Sequence, residues 1–102
     1  MRARRKDTNQ SEIERAFRKM GCSFWDTSAL GGGFPDGVAG LGGISLPIEI
    51  KDGSKVPSKR KLTPAQIEFR DNWKGGMRVV ENLTDVEITV RLLRSWHAKI
   101  CT

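Results

Sequence analysis

The feature that most restricts this chain is a glycine-punctuated segment, GGFPDGVAGLGGISLPIEIKDG, at residues 32–53. Gly42-Gly43 divides it into a short glycine-rich stretch and a longer apolar one, the pattern of two strands joined by a tight turn. Pairing Leu41 with Ile44 carries Asp36 opposite Glu49, because hairpin register is set at the turn. Side chains two apart on a strand share a face, so Glu49 and Lys51 lie on one side and Ile48 and Ile50 on the other. Asp36 and Glu49 then become cross-strand neighbours of like charge, which is destabilising unless something positive sits between them. Lys51 brings one such charge. A divalent cation brings more, and two hard oxygen ligands suit Mg²⁺. Taken singly, each residue has a plainer explanation. Glu-Ile-Lys is what a half-exposed strand contains, and Pro-Asp-Gly is a common turn.

Around this hairpin the chain reads as one domain of alternating elements. Ile13, Ala16, Phe17 and Met20 recur at helical spacing, which predicts a helix over 9–20. Ser11 and Glu14 are spaced as a capping box, and Gly21 is the stop. Cys22 to Ser28 reads as a strand and Gly31 to Gly33 as a loop. Thr63-Pro64-x-Gln66 predicts the start of a second helix, with Thr63 as cap, proline in the first turn and Gln66 completing a capping box. That helix is expected to reach about Lys74, with Ala65, Phe69 and Trp73 on one apolar face. A short strand over 77–82 precedes a last helix, capped by Thr84 and Glu87. The order α-β-β-β-α-β-α implies an α/β fold with a mixed central sheet flanked by helices.

The formal net charge of +6 over 102 residues favours a polyanionic partner. Two basic clusters carry much of it: Arg2, Arg4, Arg5 and Lys6, read as a flexible arm over residues 1–7, and Lys55, Lys59, Arg60 and Lys61. Such segments are either solvated charge or phosphate contacts. No apolar run is long enough to span a membrane. Basic residues at the start with no apolar stretch behind them do not make a secretory signal. Cys22 and Cys101 lack metal-ligand spacing and read as reduced thiols of a cytoplasmic protein. Trp25, Trp73 and Trp96 can stack on bases, but Trp73 sits on the apolar helix stripe and is expected in the core. His97 is the single histidine and is too isolated in the sequence for a triad, which points to a surface or helix-end role. The glycine run lacks the Gly-Lys-Ser/Thr ending of a phosphate-binding loop.

Pro35-Asp36 followed by Glu49-Ile50-Lys51 resembles the motif of the PD-(D/E)XK nucleases. More narrowly, NQSEIERAFRKMGCSFWDTSALGGGFPDGVAG, EIKDG and LTPAQIEF are similar to the small phage-borne VRR-NUC and Holliday-junction-resolvase-like nucleases, over about residues 7–82. Gly37 departs from the pattern, which commonly has a bulky apolar residue there. The resemblance implies a restriction-endonuclease-like fold and a metal-dependent endonuclease acting on branched or junction DNA, working as a homodimer in the cytoplasm. It implies that Asp36, Glu49 and the carbonyl of Ile50 ligate Mg²⁺ or Mn²⁺ and that Lys51 orients the attacking water and the phosphate. It also implies an acid from the first helix. Glu12 and Glu14 compete for that place on opposite flanks of the apolar face, with Glu12 preferred because Glu14 has Ser11 as a capping partner. Gln66 resembles a glutamine beside the site, a role that competes with its capping box. Ser28 and the Gly31 to Gly33 loop are placed by the resemblance near the scissile phosphate, although turn formation alone also accounts for them.

Overall fold

The computed structural model describes residues 9–101. In chain order these form α1 (Gln10–Lys19), β1 (Ser23–Asp26), β2 (Gly37–Leu41), β3 (Ile44–Ile50), α2 (Pro64–Asn72), β4 (Arg78–Val80) and α3 (Leu83–Cys101), with short 3-10 turns at Ser28–Leu30 and Pro57–Lys59. The four strands make one sheet in the order β1-β2-β3-β4. β1, β2 and β3 are antiparallel neighbours, and β4 joins β3 in parallel. The parallel pair needs a crossover connection, and α2 supplies it.

Gly42 and Gly43 both have positive φ, 60° and 83°. That is what a two-residue hairpin turn of the twisted kind demands. Leu41 pairs with Ile44 and the ladder runs on to Gly37 with Ile48, the expected register. One face of the sheet carries Phe24, Ala39, Leu46, Ile48, Ile50 and Val80, all buried against Ile13 and Phe17 of α1 and Val86, Val90 and Leu93 of α3. The Phe17 and Phe24 rings stack at 5.3 Å. A methyl group on Gly37 would lie 2.3 Å from the Phe24 ring. The bulky residue that the resemblance leads one to expect there is excluded by this aromatic packing.

Three local expectations are corrected. Ser11 and Glu14 do not form a capping box, because the cap position of α1 is Asn9, two residues earlier than Ser11. Glu14 instead turns inward and accepts from Gln10 Nε2 at 2.9 Å, while the Arg18 guanidinium lies 3.5 Å away and donates to the Phe24 carbonyl. The cap of α3 is Asn82, not Thr84: its Oδ1 accepts from the Asp85 amide, and Asp85 in turn accepts from the Glu81 amide. Trp73 is not core. It ends α2 with 43% of its surface exposed, stacks on Phe69, and donates its indole N–H to the Gly76 carbonyl. Three turns of helix with a polar majority cannot bury a full apolar face, and Gln66 is the one buried residue of α2. His97 holds the hairpin turn to α3 through a 2.7 Å contact between Nδ1 and the Gly42 carbonyl. Among the described residues no helix is long and apolar enough to cross a membrane.

Candidate functional site

The second face of the sheet carries the acids. β3 is buried on both sides from Leu46 to Ile50; its odd-numbered residues lie away from the aliphatic core, and Glu49 is 1% exposed. Asp36 sits one residue before β2 and is 5% exposed. It stays in register, since the Thr27 amide donates to its carbonyl at 2.8 Å. Its side chain replaces the next ladder bond, with Oδ2 accepting from the Ile50 amide at 2.7 Å. The paired ladder ends at Gly37 with Ile48, and the Asp36 carboxylate reaches past it to the Ile50 amide, next in sequence to Glu49.

α2 closes over this pair through one side chain. Gln66 Nε2 donates to Glu49 Oε1 at 3.0 Å. Gln66 Oε1 accepts from Lys51 Nζ at 3.0 Å and from the Thr63 amide at 2.8 Å. Thr63 Oγ1 accepts from the Gln66 amide at 3.2 Å, which completes the capping box. The two roles that competed for Gln66 are thus one arrangement: the cap fixes the amide plane, and the fixed amide links the glutamate to the lysine. A buried carboxylate costs several kcal/mol unless it is paired and hydrogen-bonded, and Gln66 and the Ile50 amide provide such bonds.

The other expected residues fall outside this cluster. Glu12 is exposed and lines a different cavity of about 440 Å³, with Asn9, Asp52, Ser54 and Glu81. Among the described residues no three His, Cys, Asp or Glu side chains converge to hold a metal ion, so neither helix acid joins Asp36 and Glu49 in such a group. Ser28 is 4% exposed and donates its hydroxyl and its amide to Asp26 Oδ1, at 2.6 and 2.8 Å. Lys55, Lys59 and Lys61 are exposed on the loop between β3 and α2. Arg60 is tied down, pairing with Glu81 at 3.0 Å and donating to the Lys55 carbonyl. Arg2, Arg4, Arg5 and Lys6 lie outside the described residues.

Asn9 escaped the sequence reading. Its Nδ2 donates to the carbonyls of Lys51 and Glu81, tying α1 to the ends of β3 and β4 beside the site. A polar residue at a helix start reads as a cap, and nothing local distinguishes a cap from a long-range clasp.

The Asp36 and Glu49 carboxylates are hard oxygen donors. Mg²⁺ is commonly held by one or two carboxylates and completes its six positions with water and phosphate oxygens. A carboxylate has about four lone-pair positions, so one amide bond leaves Asp36 with acceptor capacity. Amide and carbonyl of one strand residue point to the same neighbour. The carbonyl of Ile50, like its amide, is therefore directed to the Asp36 side, past the end of the ladder. The chain matches no protein-family model, no curated protein and no solved structure.

Proposed function

We propose that the protein is a metal-dependent endonuclease that hydrolyses DNA phosphodiester bonds, on a resolvase-like version of the α/β fold. The observation that supports this most is the Glu49–Gln66–Lys51 chain of hydrogen bonds, with the Asp36 carboxylate on the amide of Ile50, the residue between Glu49 and Lys51. Asp36, Glu49 and the Ile50 carbonyl would hold Mg²⁺ or Mn²⁺. When bound, such an ion supplies Lewis-acid polarisation of the phosphate and a water of lowered pKa. Lys51 adds positive charge where the phosphoryl oxygens gain negative charge. Gln66 keeps the ammonium group and the Glu49 carboxylate at a fixed separation, so neither must reorganise during the reaction. Lys55, Lys59 and Lys61 extend the positive surface along the loop that leaves β3, a grip on the backbone that is independent of sequence. Among the described residues no base-reading element accompanies them, which favours recognition of branched or junction DNA by shape. Symmetric cutting of a four-way junction requires two sites, hence a homodimer; a cytoplasmic setting follows from the substrate and the two thiols.

The burial of both carboxylates favours a second reading. In it the Glu49–Gln66–Lys51 chain is a structural polar network in a nucleic-acid-binding module without catalysis. Incubation with a four-way junction, a flap and a linear duplex, in Mg²⁺, Mn²⁺ or chelator, separates the two. Cleavage that disappears with chelator and in Asp36→Asn, Glu49→Gln and Lys51→Ala supports the nuclease. Binding without cleavage by the wild-type chain supports the module. Light scattering with and without junction DNA tests the dimer, which a monomer mass at micromolar concentration rules out.

A further inference from the structure

β1 is the edge strand of the sheet, and its two central residues have opposite fates. Phe24 enters the core at 6% exposure, whereas Trp25 stands 77% exposed. Trp25 pairs with Val38, which pairs with Pro47. Paired residues share a face, so Trp25 lies on the face that carries Glu49. Thr27 continues the β1–β2 pairing to Asp36, making Asp36 the diagonal neighbour of Trp25, a separation of about 7–8 Å between their Cα atoms. α2 covers this face over β3, through Gln66. Over β1 the face is open.

A tryptophan with most of its surface in water contributes little to the core, although an indole is among the largest apolar groups a chain can bury. Its flat face suits one class of occupant that the neighbouring site brings close. We infer that Trp25 is a stacking platform for an unpaired nucleobase next to the phosphate that a cation at Asp36 and Glu49 would hold. This rests on reading Asp36 and Glu49 as the phosphate site. Every base has a π-face, so the platform accepts any sequence. A base inside a duplex is already stacked on both sides and does not offer that face. The platform therefore selects structure: strand ends, flaps and junction centres, where bases are splayed from the helix.

The test is binding by the full-length protein in chelator, so that no turnover occurs and base stacking is read apart from any cation-held phosphate. The probes are a labelled oligodeoxythymidine strand and a blunt duplex, read by anisotropy and by quenching of tryptophan fluorescence. Trp25→Ala is expected to weaken single-strand binding by about tenfold or more, Trp25→Phe by less, and neither to change duplex binding beyond about twofold. Exposure of the side chain makes both variants compatible with folding, which circular dichroism checks. Unchanged single-strand affinity in Trp25→Ala overturns the inference, and so does an equal loss for strand and duplex. Cleavage assays report on the site separately. Absence of cleavage with the strand-specific loss intact removes the nuclease and keeps the platform. Cleavage that requires Asp36, together with no strand-specific loss, does the reverse.

Discussion

Gln66→Ala is the sharpest test of the polar network. The alanine removes three hydrogen bonds at once: to Glu49, from Lys51, and from the Thr63 amide. Glu49 is 1% exposed, so loss of the Gln66 hydrogen bond to this buried charged acceptor costs about 2–3 kcal/mol. Lys51 is half-buried and rehydrates, which limits its share to about 1 kcal/mol. Loss of the reciprocal cap bond adds about 0.5–1 kcal/mol. The sum, about 3–5 kcal/mol, is a large part of the 5–15 kcal/mol or so that holds a domain of this size. It corresponds to a fall in Tm of about 15–30 °C by calorimetry or circular dichroism.

Gln66→Glu then separates network from bulk. The replacement keeps an oxygen for the Thr63 amide and for Lys51, but sets a second carboxylate against Glu49 where a donor stood at 3.0 Å. Two carboxylates this close must share a proton or a cation. The folded variant binds that proton more tightly than the unfolded chain does, so its stability rises as pH falls. Millimolar Mg²⁺ or Mn²⁺ is expected to raise its Tm at neutral pH. A Gln66→Ala loss below about 1 kcal/mol, together with a pH-independent Gln66→Glu, refutes the reasoning, because it leaves Glu49 supported by something other than this glutamine.

Other perturbations address the surrounding frame. Gly33 has φ +84°, and a Cβ there would lie 2.2 Å from the Ala65 carbonyl oxygen; Gly33→Ala is expected to destabilise by about 2–4 kcal/mol in urea melts. Lys59→Ala is expected to reduce the slope of log binding constant against log salt by about 0.9, whereas Arg60→Ala, which loses the Glu81 pair, lowers stability by about 1 kcal/mol and leaves that slope unchanged. Burial pushes the Cys22 thiol up, partly offset by the positive charge of Arg94. Iodoacetamide at neutral pH should therefore leave Cys22 unmodified in the native protein and alkylate it in urea, as mass spectrometry of Cys22 peptides reads out.

What the sequence made legible follows from which signals are local. The hairpin was readable because Gly42-Gly43 fixes a register, and that register holds through every pair down to Gly37 with Ile48. The start of α2 was readable because Thr63, Pro64 and Gln66 satisfy one another within four residues. The cap of α1 was misread because Ser11-x-x-Glu14 has the right spacing two residues too late. Gln10 and Arg18 draw Glu14 inward, and Arg18 is itself held by the Phe24 carbonyl on a strand the helix pattern does not contain. Trp73 was misplaced for a related reason. Helical periodicity gives the face a residue shares, not whether another element covers that face. Glu12 was favoured by resemblance, yet α1 is set against the sheet by Asn9, which reaches the carbonyls of Lys51 and Glu81. Those two carbonyls lie 42 and 72 residues further along the chain, a distance at which single-sequence patterns carry no information. The same limit applied to Gln66. Its spacing to Thr63 announced the cap, and only the crossover that lays α2 over β3 brings the capped amide to Glu49 and Lys51. Local pairing chose its rotamer; tertiary packing decided what that rotamer touches.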